Sequence, residues 1–295
     1  MQKHRTRAVC TALAAVALAA LCLAGSASAK LTGAFTVFQQ CPWTNAEANR
    51  CLYSLTESGE VVLGNKKVPI EKAVTLQAGY TLPVAEFSKL VAATNGITLS
   101  KTPQNVPGGL LGIVPEASSP PLVKALIKFF FENSLTGVNS TLELAKPANE
   151  VFFSELHVAE EEEVALKLPV KVHLENPFLG KNCYVGSSSS PLKWELTTGP
   201  TSPPEPNKPI AGSAGAIEFL EGGRILRAKE NALVDNAWSA PAVSGCGGIL
   251  AFLVNPIINS QLGLPAAAGK NTAILKGTSS IATAAAVKKN NEDNP

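Results

Sequence analysis

Eleven residues in the middle of the chain constrain its fold more than any others. From Val164 to Leu174, Val164, Leu166, Leu168, Val170, Val172 and Leu174 share one face, and Ala165, Lys167, Pro169, Lys171 and His173 share the other. A strict period of two is the signature of a strand with one face buried. Pro169 cannot donate to a ladder, which predicts an edge position or a bulge there. Leu192, Trp194 and Leu196 alternate in the same way with Lys193, Glu195 and Thr197, as do Phe152, Leu156 and Val158 with Phe153, Glu155 and His157. Shorter runs at Leu52–Leu55, Val74–Leu76, Leu142–Leu144 and Ile217–Phe219 follow the pattern. Ser58-Gly59, Gly64-Asn65 and Gly222-Gly223 supply hairpin-like turns between such runs.

Three segments read as helix. Val84, Phe87, Leu90 and Val91 have helical spacing and end at Asn95-Gly96. Ser119-Pro120 starts PPLVKALIKFFFEN, in which Lys124, Lys128 and Glu132 form a thin polar stripe, so this helix is expected to be mostly buried. Gly247 to Leu264 carries Pro256, which predicts two short helices. The expected architecture is mainly β: an antiparallel β-sandwich or paired β-sheets, with two or three short packed helices. The proline-rich SPPEPNKP, near 200–210, reads as a long loop or a subdomain boundary. Residues 285–295 read as a polar C-terminal tail.

The N-terminus bears on compartment. A basic MQKHRTR, an apolar stretch from Ala8 to Ala24, and Ala27-Ser28-Ala29 follow the order of a signal peptide cut after Ala29. A secreted domain over 30–284, with no transmembrane anchor after cleavage, is the expectation. Removing Lys3, Arg5 and Arg7 leaves 22 basic and 23 acidic residues, a net charge of −1. That balance gives no electrostatic case for nucleic acid or for an anionic membrane. Cys10 and Cys22 leave with the signal, and Cys41, Cys51, Cys183 and Cys246 remain. Four cysteines in an exported chain read as two disulfides, with three pairings open. Cys41–Cys51 across a short polar loop, with Cys183–Cys246, is the favoured one.

Candidate chemistry is thin. His157 and His173, the histidines of the mature chain, fall on polar strand faces and read as solvent-facing. Glu160–Glu163 lacks the Asp/Asn/Gly alternation of a calcium loop and reads as a solvated turn. Ser190 and Lys193 fit Ser-x-x-Lys without its companion motifs. Cys246 in SGCGG reads as a bridge cysteine before a nucleophile. Asn139-Ser140-Thr141 is a glycosylation sequon. No cofactor or metal site is expected. No charge occurs from Asn236 to Gly269. That stretch and the Phe129–Phe131 helix read as core, or else as an apolar groove or membrane-docking element, with Leu126, Phe129, Phe130, Ile249, Phe252 and Leu253 as the candidate lining of an apolar ligand site.

The segments FQQCPWTNAEANRCLYSLTESGEVVLGNKKVPI, LGKNCYVGSSSSPLKWELTTGPTSPPEPNKPIAG and VDNAWSAPAVSGCGGILAFLVNPIINSQLGLPAAAGKNTAILKG together resemble an uncharacterised family of secreted proteins from high-GC Gram-positive bacteria. The resemblance implies export and a shared fold, and it supplies no activity. The functional expectation is a non-catalytic extracellular or cell-envelope protein that binds a partner or contributes structure. The alternative is a carrier of an apolar ligand such as a lipid, and the third reading is a secreted hydrolase.

Overall fold

A computed structural model of the chain describes residues 30–84, 86–131 and 135–294. The signal peptide read over 1–29 lies outside the described residues. The first half supplies β1 (Arg50–Leu63), β2 (Lys66–Pro69), β3 (Val74–Tyr80), β4 (Ser88–Val91), β5 (Pro103–Val106), α1 (Pro121–Phe131), β6 (Val138–Leu144) and β7 (Phe152–Phe153). The second half supplies α2 (Glu155–Glu160), β8 (Val164–Glu175), β9 (Tyr184–Val185), β10 (Leu192–Thr197), β11 (Ala216–Leu220) and β12 (Ile225–Asp235). It ends with β13 (Val243–Ser244), α3 (Ala251–Leu262), β14 (Thr272–Thr283) and α4 (Ala284–Asp293).

The strands close on themselves, which corrects the expected sandwich. Around the ring, β1 pairs β3, β3 pairs β4, β4 pairs β7, and β7 pairs β8, all antiparallel. From there β8 pairs β10, β10 pairs β12, β12 pairs β14, and β14 returns to β1. The result is an eight-strand antiparallel barrel with six further strands outside it. Two features favour closure. Strand β1 has 14 residues and β8 and β14 have 12 each, longer than the common strand of about 5–6. The ladders also break register between Thr56 and Ser58 of β1 and between Ala228 and Asn231 of β12. Bulges bend and twist a strand, which lets a long sheet curl onto itself. Ser58-Gly59 is therefore part of the first irregularity, within a continuous β1, and not a hairpin.

The alternating runs of β8 and β10 are as read: Leu166, Leu168, Val170, Val172 and Leu174 are buried, as are Leu192, Trp194 and Leu196. Pro169 sits opposite Lys193 of β10, inside the ladder, and its carbonyl accepts from Ala145 N at 3.0 Å. A second, smaller core lies on the outer face of the barrel, where Phe35 and Phe38 pack with Ile225, Ala282 and Val287. The disulfides are Cys41–Cys51, within this second core, and Cys183–Cys246, which spans 63 residues.

Four local readings change. Residues 84–91 form the Val84–Phe87 bridge and strand β4 instead of a helix. Four apolar residues are too few for the period to decide, and the ladders to β3 and β7 do. The Phe152–Val158 run is a strand only at β7. The Ser154 hydroxyl then accepts from His157 N at 3.3 Å and caps α2, an N-cap contact that competes with strand extension. Gly247–Leu264 forms a short 3₁₀ turn and one helix, α3, with exposed Pro256 inside it. The side chains of Asn255 and Asn259 accept from Cys246 N and Val243 N at 3.0 and 2.8 Å and hold α3 in place. The polar tail is helix α4, capped by Thr283, whose hydroxyl accepts from Ala286 N at 3.2 Å. Its buried Asn290 accepts from Thr32 N at 3.0 Å, tying both ends of the described chain together. Residues 200–210 are a loop, pinned by Asn207 Nδ2 donating to Asn236 O and Asn271 O at 2.8 and 2.9 Å.

Candidate functional site

The barrel interior is not filled. Protein interiors pack like organic crystals, with few voids larger than a water molecule. Here an upper cavity of about 500 Å³ lies among Leu52, Phe153, Leu226, Ala228 and Ile281. A lower cavity of about 100 Å³ lies among Val61, Leu63, Val68, Leu99, Val106 and Leu142. Ser54, Leu76, Leu166 and Leu233 wall both, so the two adjoin, and the lower one is completed by residues of β2, β5 and β6, strands outside the eight-strand ring. Leu226, Leu233, Leu275 and Ile281 are only half-buried although they line these chambers. An eight-strand barrel is just wide enough to be filled by side chains or to hold one small ligand.

Polar groups in the chambers are few and mostly committed. The hydroxyls of Ser54 and Ser279 lie 2.9 Å apart, joining β1 to β14. The irregularity in β12 brings in Asn231. With its amide oriented to satisfy every partner, its oxygen accepts from Ser279 N and Oγ and its nitrogen donates to Gly277 O. At the upper end, the β1–β3 register sets Arg50 opposite Tyr80. The first residue of α2, Glu155, pairs with Arg50 at 2.8 Å and accepts from the Tyr80 hydroxyl. Burial, reinforced by the Glu155 charge, pushes the Tyr80 phenol well above its ordinary value. The phenol therefore stays protonated and keeps donating. Leu156 and Ile217, both exposed, flank this opening.

The lower end differs. Lys66, on β2, is the one charged residue in the wall of the lower chamber. Among the described residues no carboxylate lies within ion-pair distance of its ammonium, and it donates no hydrogen bond. Burial lowers its pKa, because a low dielectric disfavours the charged form. Gly112 makes room for it: a Cβ at that position would stand 2.7 Å from Lys66 Nζ. The neighbouring wall of the chamber holds Leu262, the end of α3, whose carbonyl accepts from Asn65 N at 2.8 Å. Helix α1 packs against the 3₁₀ turn Gly109–Leu111, just before Gly112.

The expected apolar lining is elsewhere. Leu126 and Phe129 on α1, Ile249 in the 3₁₀ turn, and Phe252 and Leu253 on α3 are exposed, Phe129 by 70%, Ile249 by 96% and Phe252 by 71%. None of them borders the two chambers. Phe130 falls in α1. The expectation that this helix is buried is corrected, since Leu122, Leu126 and Phe129 face outward. These residues give α1, and the 3₁₀ turn with the start of α3, exposed apolar faces.

The remaining candidates have structural partners. His157 is buried in α2, where Nδ1 bonds Val164 O at 2.8 Å and the ring meets Phe87 edge-on. That corrects its solvent-facing assignment. His173 stacks on Tyr184 at 4.4 Å, so the two histidines do not meet. A polar cleft of about 270 Å³ holds Glu162, Glu163, Lys193, Glu195 and Asp235. Asp235 accepts from Glu195 N and Ala237 N at 2.7 and 2.9 Å. Burial raises its pKa, and those two bonds oppose the rise. Its carboxylate is thus occupied in holding β10 and the end of β12. Ser190 lies in the loop before β10, Lys193 is exposed on that strand, and Asn139 is exposed on β6. Cys246 is in its disulfide. Among the described residues no cluster of three His, Cys, Asp or Glu side chains is placed to hold a metal.

Sequence reasoning missed Lys66, Glu155 and the Ser54–Ser279–Asn231 group. The inward faces of β1, β8 and β12 are legible as alternation, but a void behind them leaves no mark in the pattern. Comparison with family models, with curated proteins and with solved structures found no match.

Proposed function

We propose that this is an exported, non-catalytic binding protein that carries one apolar small molecule inside its barrel. The observation that carries the reading is the pair of apolar chambers with shared walls in a closed barrel. Ligand sites are typically apolar concavities of about 300–1,000 Å³ with a few placed polar groups, and the upper chamber falls in that range. The two disulfides fit an oxidising compartment, and the segment over 1–29 has the order of a signal peptide. No helix of the described residues is long and apolar enough to cross a membrane.

The exposed apolar faces of α1 and of residues 249–257 support loading from a lipid surface. Helix α1 adds Lys124 and Lys128 and has no acidic residue, a composition that suits an anionic bilayer. Native mass spectrometry, with titration of a fluorescent fatty acid into delipidated protein, tests the carrier reading. The expected results are one apolar molecule per chain and saturable one-to-one uptake. Absence of both refutes it.

A further inference from the structure

The two ends of the barrel interior differ in charge and in whether that charge is already used. Glu155, the charged residue of the upper wall, has Arg50 and Tyr80. Lys66, the charged residue of the lower wall, has no acceptor among the described residues. Its neighbours in that wall do not share this state. The Gln104 amide donates to Lys72 O at 2.7 Å, and its oxygen accepts from Glu71 N and Lys72 N at 3.0 Å each. The Thr102 hydroxyl bonds Ser100 Oγ at 3.0 Å. Lys66 is half-buried, so its ammonium is partly desolvated with no partner of its own, and it is free to take an anion from outside the protein.

We propose that the ligand is a long-chain monocarboxylate, a fatty-acid-like amphiphile, whose carboxylate pairs with Lys66 Nζ while its hydrocarbon tail occupies the barrel. The inference rests on the carrier reading and adds the headgroup and the direction of binding. One cation matches one anionic charge. The chamber beside it is the smaller of the two, which suits a compact carboxylate followed by a slender chain. The tail passes Leu76, Leu166 and Leu233, the walls common to both chambers, into the larger upper space. The reverse orientation sets the carboxylate beside Glu155, whose partners Arg50 and Tyr80 are already committed to it. Gly112 lets the ammonium lie close to the backbone, since a Cβ there would stand 2.7 Å from Nζ. The lowered pKa of Lys66 has the same origin as the pairing, because a carboxylate restores the stability of the charged form.

The test compares dodecanoic acid with 1-dodecanol, which share a tail and differ in the head. Each displaces a fluorescent probe from delipidated wild type, Lys66→Met and Lys66→Arg. Charged hydrogen bonds in a partly desolvated site give the wild type a preference for the acid of about ten- to a hundredfold. Lys66→Met loses that preference and keeps its affinity for the alcohol within about twofold, and Lys66→Arg keeps most of the preference. Equal binding of acid and alcohol by the wild type overturns the headgroup assignment and leaves the carrier reading standing. A Lys66→Met variant that weakens both ligands alike also overturns it. Failure of both ligands to bind the wild type overturns the carrier reading and this inference with it. The wild-type comparison needs no variant, so it decides even if Lys66→Met fails to fold.

Discussion

Truncating a wall residue of an open chamber should cost less stability than truncating a residue in a filled core. Leu233 and Leu192 make the comparison. Leu233, on β12, walls both chambers and is half-buried. Leu192, on β10, is fully buried at 0% exposure and packs in the main core. A buried Leu→Ala change costs about 2–5 kcal/mol through lost transfer energy plus the cavity it leaves. Leu192→Ala should lie in the middle of that range, about 3–4 kcal/mol. Part of the Leu233 side chain already faces empty space, so fewer packing contacts are there to lose. Its cost should be about 1–2 kcal/mol. The gap of about 2 kcal/mol corresponds to about 4–8 °C in Tm at this chain length. Urea unfolding of delipidated variants measures it. Dodecanoic acid at a hundred times Kd should stabilise Leu192→Ala by about 2.7 kcal/mol. At the same ligand concentration Leu233→Ala should gain less, because it loses contact with the tail. Equal costs at the two sites, with no ligand effect, would mean that the chambers close up in solution.

Three further outcomes follow from other parts of the fold. Replacing Cys183 and Cys246 by Ala should cost about 4 kcal/mol, against about 3 for Cys41 and Cys51, because loops of 63 and 10 residues lose different amounts of chain entropy; urea midpoints in the reverse order would refute that account. The raised pKa of Asp235 means that the folded state holds this proton more tightly than the unfolded state. Its contribution to stability therefore falls as pH rises from about 4, and Asp235→Asn should show a flatter urea-midpoint profile between pH 4 and 7; an unchanged slope would contradict the assignment. Phe129→Ser combined with Phe252→Ser should weaken co-sedimentation with phosphatidylglycerol vesicles several-fold. Both residues are exposed, so stability should stay within about 0.5 kcal/mol per substitution; unchanged sedimentation would remove these helices from the loading step.

The strands were legible where burial on one face leaves a period of two, as in β8 and β10. Closure was not, because alternation is the same in a sandwich and a barrel. The ring depends on pairings between distant segments, such as Leu166 with Leu196 and Thr197 with Val234, and on irregularities at Thr56–Ser58 and Ala228–Asn231. The disulfide pairing was readable from count and spacing. His157 was misplaced because the Ser154 cap outweighs two alternating apolar residues. The apolar helices were recognised as unusual, but composition cannot tell a lining from an exposed face, and Phe129, Ile249 and Phe252 took the second. The candidate site was the least legible part. Lys66 looks like any strand-edge lysine until Gly112, Leu63 and Leu262 are seen around it.

The most direct test of the barrel as a ligand site is NMR of methyl-labelled delipidated protein with one equivalent of dodecanoic acid. Intermolecular NOEs from the acyl chain to the methyls of Leu52, Leu166, Leu226, Leu233 and Ile281 are the predicted result. Perturbations confined to the outer residues Leu126, Ile249, Phe252 and Leu253, with the barrel methyls unmoved, would contradict it.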